Sequence, residues 1–139
     1  MAKLGIYFWT GTGNTEAMAE SIAKGAKAAG AEVEVINISE AKPSIDDYEL
    51  LALGCPAMGD EVLEEDEFEP FFQEIEGQLK GRKVLIFGSY SWNDGEWMLK
   101  WAERLRAAEA DLFKDQGLIS YEQDALDECE AWGKEFAQA

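Results

Sequence analysis

The chain contains no histidine among its 139 residues. That excludes histidine triads, histidine general bases and most zinc sites in one step. Its two cysteines, Cys55 and Cys129, are too few for a disulfide framework or a four-thiolate cluster. Long apolar runs are missing as well. None approaches about 18 residues, so no stretch reads as a membrane span. The opening Met1-Ala2-Lys3-Leu4-Gly5 lacks signal-peptide grammar, and a cytoplasmic location is expected. Bases are scarce: 12 Lys and Arg stand against 29 Asp and Glu, a formal net charge of −17. A surface that negative repels nucleic acid and anionic lipid, so neither is expected as a partner, and basic proteins are.

What remains is ordinary for a folded domain. Hydrophobic residues make up 47% and charged residues 29%, and residues 1–139 are expected to form one domain. Short apolar runs alternate with helical patterns. Gly5–Trp9 (GIYFW) is continuously apolar, as a strand covered on both faces would be. Met18, Ile22 and Ala26 then repeat every four residues in a helix from about Asn14 to Ala29, with Gly30 as its stop. Val33, Val35 and Ile36 suggest a second strand, Leu50–Leu53 a third and Val84–Phe87 a fourth. Leu112–Phe113 and Leu118–Tyr121 share the signal for a fifth. Helical spacing links Phe68, Phe71, Phe72, Ile75 and Leu79, then Met98, Ala102 and Leu105, then Leu126, Cys129, Trp132 and Phe136. Residues 39–47, with Pro43, read as a loop or a short helical turn. This alternation predicts an α/β fold: a parallel sheet with helices on both faces. Ligands of such sheets sit beyond the carboxyl ends of the strands, after Trp9, Gly54 and Gly88.

The first of these loops is Thr10-Gly11-Thr12-Gly13-Asn14-Thr15. Its glycines allow a tight turn, and the helix that follows offers free N–H groups to an anion. Threonine hydroxyls and the asparagine amide add donors. A Walker loop would need a lysine here, and a dinucleotide fingerprint would need glycine where Glu16 stands. A phosphate held here would be held by neutral dipoles rather than ion pairs. A plain Gly-Thr turn with an ordinary cap is the alternative.

The other two loops read less sharply alone. Cys55-Pro56-Ala57-Met58-Gly59-Asp60-Glu61 offers Met58, soft enough for an aromatic face, and Gly59, whose peptide could reorient at low cost. Glu61 could accept a ring N–H. A turn leading into an acidic helix start explains the same residues. Gly88-Ser89-Tyr90-Ser91-Trp92-Asn93-Asp94-Gly95 places two aromatics in a polar loop, where an indole can present a flat face. A ring folded over the sheet end is the rival reading. Trp97 and Trp101 read as packing residues of the next helix.

Taken together, Tyr7–Met18 (YFWTGTGNTEAM), Leu53–Phe72 (LGCPAMGDEVLEEDEFEPFF) and Phe87–Met98 (FGSYSWNDGEWM) resemble the flavodoxins, especially the short-chain type of anaerobic bacteria. The resemblance implies a flavodoxin-like three-layer sandwich, a five-stranded parallel sheet in order 2-1-3-4-5, bound FMN and single-electron shuttling. It implies a low-potential carrier cycling mainly between semiquinone and hydroquinone, with no turnover of its own, no catalytic residue and no metal. Thr10, Thr12, Asn14 and Thr15, with the N–H groups of Gly11 and Gly13, would hold the phosphate. Pro56 and Ala57 would also contact the cofactor, Pro56 standing where some relatives have a hydroxyl residue near the phosphate, and Met58 would lie on one ring face. Trp92 would lie on the other, with Tyr90 in reserve and Ser89, Ser91 and Asn93 alongside. The Gly59–Asp60 peptide would turn its carbonyl toward flavin N5, and Glu61 would accept from N3–H. Implied partners are redox proteins with basic docking surfaces, such as ferredoxin/flavodoxin reductases and oxidoreductases, meeting a monomer.

The acids fit that picture. Between Ser44 and Leu79 lie 12 of them and no Lys or Arg, seven within Asp60–Glu69. An added electron is disfavoured in a negative field, which makes the reduced cofactor a stronger reductant. A solvated helix start is the plainer reading of the same run. Two rival functions share the fold. A quinone or nitro reductase would want room over the flavin, and a flavin-free interaction module would stay colourless with FMN.

Overall fold

The computed structural model describes residues 2–58, 62–91 and 95–138. Strand β1 (Lys3–Phe8) runs through Leu4, Ile6, Tyr7 and Phe8, all buried, as its unbroken apolar run requires. Helix α1 (Asn14–Ala28) buries Met18, Ile22 and Ala26. Strand β2 (Glu32–Asn37) lies at the sheet edge, so its burial is only partial. Residues 39–47 form a loop closed by one 3₁₀ turn, Ile45–Asp47. Strand β3 (Leu50–Gly54) is buried throughout. Helix α2 (Phe68–Glu76), strand β4 (Lys83–Tyr90) and helix α3 (Glu96–Ala107) follow. Strands β5 (Asp111–Leu112) and β6 (Leu118–Tyr121) and helix α4 (Leu126–Ala137) complete the chain.

The strands pair in parallel in the order β2-β1-β3-β4-β5. This is the expected α/β architecture, with one refinement at the fifth position. Two short strands share it: β5 pairs with the start of β4 and β6 with its end. Between them Lys114 and Asp115 both take positive φ, 60° and 57°, which breaks the line. Neither piece is long, which is why two separate apolar segments share the fifth position.

Alternate strand residues feed two cores. Leu4, Ile6, Phe8, Leu85 and Phe87 meet α1 and α4 on one face. Tyr7, Leu51, Leu53, Val84 and Ile86 meet α2 and α3 on the other. Helix α2 stops at Glu76, short of the expected Leu79, which is buried just beyond it.

Candidate functional site

Four segments meet at the carboxyl end of the sheet, and the ladder extends past the strand ends to tie them together. Trp9 N–H donates to Gly54 O (3.0 Å), Cys55 N–H to Phe87 O (3.1 Å) and Ala57 N–H to Ser89 O (2.9 Å). Glu122 N–H donates to Tyr90 O (2.9 Å). The loops are thus positioned by backbone pairing, which does not depend on their side chains.

A cleft of about 300 Å³ opens among them. Gly11, Thr12 and Asn14 of the first loop line it. Pro56, Ala57 and Met58 contribute from the second loop, and Ser89, Tyr90 and Ser91 from the third. Among the described residues no charged side chain lines it. Hollows of about 430 and 460 Å³ elsewhere on the surface gather no hydroxyl side chain among the described residues.

The first loop is built around Gly13, which caps α1 at φ 93° and has open space where a Cβ would sit. A side chain there would be strained in the left-handed region. Gly13 N–H bonds Thr10 Oγ1 (3.0 Å) and Asn14 N–H reaches Thr12 Oγ1 (3.5 Å). These bonds curl the loop over the helix start, where the unpaired N–H groups and helix dipole favour an anion. Thr10, Gly13 and Thr15 do not line the cleft wall itself. Thr15 is buried, its hydroxyl 2.9 Å from that of Ser89, a bond between the first and third loops.

The second loop hangs on Glu64, which composition alone places at the surface. Its carboxylate is buried and accepts the N–H groups of Asp66 (2.8 Å), Glu67 (2.8 Å) and Phe68 (2.9 Å). It therefore caps α2 from four residues before the helix's first residue, Phe68. Glu64 N–H also meets Cys55 Sγ (3.3 Å), and Trp97 Nε1 donates to Cys55 O (3.1 Å). Cys55 is wholly buried, and desolvation pushes its thiol well above the usual range. It is a packing residue.

Tyr90 stands edge-on to Tyr121 at 5.6 Å and tilts against Trp97 at 6.3 Å. Gly59, Asp60, Glu61, Trp92 and Asn93 lie outside the described residues. Two lining or supporting groups escaped the sequence reading. Trp9, taken as the end of the strand, lines the cleft with Nε1 on Glu67 Oε1 (3.1 Å), and Ser39 Oγ donates to the same oxygen (3.0 Å). Gln123 reaches Asn14, with Nε2 donating to Oδ1 at 3.0 Å.

Comparison with known proteins decides the family. Residues 6–133 match the flavodoxin family. The chain belongs to the flavodoxin family. It is 46% identical over 136 residues to the flavodoxin of Clostridium beijerinckii, covering 95% of this chain and 97% of that one. The Megasphaera elsdenii flavodoxin is 42% identical over 137 residues, with 96% and 98% covered. The solution structure of two-electron reduced Megasphaera elsdenii flavodoxin superposes with a TM-score of 0.86, covering 98% of this chain and 99% of that chain. Oxidised flavodoxin 1 from Bacillus cereus, 30% identical, gives 0.84 over 99% and 98%.

Flavodoxins bind FMN and transfer electrons to redox proteins, so the chain is an FMN-binding electron carrier. Its residues fit that cofactor. The first loop supplies hydroxyl, amide and helix-terminal donors suited to a phosphate monoester. The adjoining cleft walls are apolar or aromatic at Trp9, Ala57, Met58 and Tyr90, as a flat ring system needs.

Proposed function

We propose that the chain is a low-potential one-electron carrier whose FMN works mainly between its semiquinone and hydroquinone forms, with no substrate turnover of its own. The observation that carries the reading is a cleft with no charged side chain among its described lining residues, in a chain of net charge −17. FMN supplies the redox chemistry when bound; the protein's part is to hold it and bias its charge. Gly11, Thr12 and Asn14 line the phosphate end of the cleft, and Thr10, the Gly13 N–H and Thr15, set behind that lining, are assigned to the phosphate by the family likeness. Pro56, Ala57, Met58, Ser89, Tyr90 and Ser91 line the flavin. Roles for Gly59, Asp60, Glu61, Trp92 and Asn93 come from the family likeness: the pivoting peptide, the N3–H acceptor and the outer ring face.

The field around the cleft acts on the reduced state. Glu67 stands directly behind the Trp9 wall through their hydrogen bond. A carboxylate so placed disfavours added negative charge within the cleft. The same acids steer basic partners to a chain that acts as a cytoplasmic monomer of one domain, residues 1–139.

Stepwise anaerobic reduction of the FMN-loaded protein, followed by visible absorbance, tests this. Long-wavelength absorbance from a neutral radical at half reduction is expected, with no oxidation of NAD(P)H by the protein alone. Electron transfer to a basic partner should slow steeply as salt rises. Direct conversion to the fully reduced form without a radical, or steady NAD(P)H turnover, overturns the carrier reading.

A further inference from the structure

The cleft has a fourth support, from the turn between β6 and α4. That turn is fixed from within. Ser120, 1% exposed, donates its hydroxyl to Glu122 O (3.0 Å) and accepts Ala125 N–H (3.1 Å). Asp124 N–H bonds Tyr121 O (3.0 Å), and Glu122 N–H bonds Tyr90 O (2.9 Å). Glu122 is held at φ 51°, a conformation that non-glycine residues keep only where the surroundings determine it. The outcome of this framework is the placement of Gln123. Its Nε2 donates to Asn14 Oδ1 at 3.0 Å, across 109 residues of sequence.

Asn14 lines the cleft at the start of α1. Its amide has two chemically opposite ends, since Oδ1 accepts and Nδ2 donates. The torsion that exchanges them is soft. Toward an anion, one end attracts and the other repels. Gln123 carries both a donor and an acceptor; here its Nε2 donates to Oδ1, which leaves Nδ2 as the end that can serve an anion in the cleft. Orientation matters here because no cationic side chain among the described residues lines the cleft to compensate for a misdirected dipole.

We propose that Gln123 is a positioning residue for phosphate recognition, holding the Asn14 amide with its donor end toward the FMN phosphate. The inference rests on the assignment of the phosphate to the first loop, made above. It adds a residue from the far end of the chain that does not touch the cofactor and acts only through Asn14.

The test compares FMN with riboflavin, which has the same ring and ribityl chain but no phosphate. Dissociation constants for both are measured by fluorescence quenching on the parent, Gln123→Leu, Gln123→Glu, Asn14→Ala and the Asn14→Ala/Gln123→Leu double variant. Gln123→Leu should weaken FMN binding by roughly 3- to 10-fold and leave riboflavin unchanged. Gln123→Glu should weaken FMN further, because it offers Oδ1 no donor and adds negative charge. The double variant should bind FMN no more weakly than Asn14→Ala alone, which marks one shared pathway. If Gln123→Leu binds FMN like the parent while Asn14→Ala binds it more weakly, the inference fails and the phosphate assignment stands. Equal losses for both ligands would mean a general structural role and also overturn it. A parent that prefers neither ligand would remove the phosphate assignment itself.

Discussion

The two faces of the sheet are held by different means. On one face α1 and α4 touch backbone to backbone. A Cβ on Gly25 would strike the carbonyl oxygen of Glu130, and one on Gly133 would strike that of Ile22. On the other face α2 and α3 are joined by side chains. Phe68 and Phe72 stand edge-on to Trp101 at 5.4 and 5.9 Å. Arg104 grips Glu69 through two 2.8 Å bonds and Glu76 at 3.0 and 3.2 Å, with its guanidinium 4.7 Å over the Phe72 ring. The difference maps onto the cleft. The first loop leads into α1, and the Gln123 turn leads into α4. The loops proposed to flank the flavin ring lead into α2 and α3. The half proposed to hold the phosphate is thus mounted on a seam whose carbonyls cannot be repacked. The ring half rests on side chains that have rotamers to adjust.

The largest effect should come from the seam. Gly133→Val forces helix backbones apart and should cost about 3 kcal/mol or more in denaturant unfolding. A loss below about 1 kcal/mol would show that α1 and α4 separate easily and would end the contrast.

A middle effect is expected at Arg104. Arg104→Gln leaves Glu69 and Glu76 without their cation and should cost about 1–2 kcal/mol at pH 7, since the pairs are partly exposed. The pH dependence follows from Glu69. Its hydrogen bonds from Arg104 hold its carboxyl below the usual glutamate range, against a smaller desolvation penalty. A depressed folded value means the unfolded chain takes up the proton first as pH falls. The contribution is complete above the ordinary glutamate pKa and is lost as pH drops through the folded value. The gap in stability between parent and variant should therefore narrow on acidification below about pH 4.5. A gap that stays constant down to pH 3 would assign the loss to packing over Phe72 instead.

The smallest effect tests whether the ring half feels individual charges. Glu67→Gln keeps an acceptor for Trp9 and Ser39 while removing one negative charge behind the cleft wall. The second reduction midpoint should become less negative by on the order of 10–40 mV. An unchanged midpoint in redox titration would show that solvent screens this carboxylate fully.

These contrasts were only partly legible in the sequence. Apolar runs and helical stripes located the elements because burial leaves a period in the residue types, as at Met18, Ile22 and Ala26. The glycine-threonine loop was legible because its function needs residue types that packing does not. Trp9 continues the ladder and also walls the cleft, and an apolar run does not mark where the second role is added to the first. Glu64 was hidden in a run of acids, where only the fold shows which carboxylate turns inward to meet three N–H groups. The Gly25–Gly133 seam and the Gln123–Asn14 bond join residues far apart in sequence, and no local pattern announces such pairs.

The broken fifth position has a further consequence. Open sheet margins invite foreign strands to add on. Here one margin offers only two and four consecutive residues, divided at Lys114 and Asp115, and the other carries exposed Glu32 and Glu34. An incoming peptide finds too little straight track on one side and a row of carboxylates on the other. Strand addition, the common first step toward a fibre, is thus disfavoured at both margins.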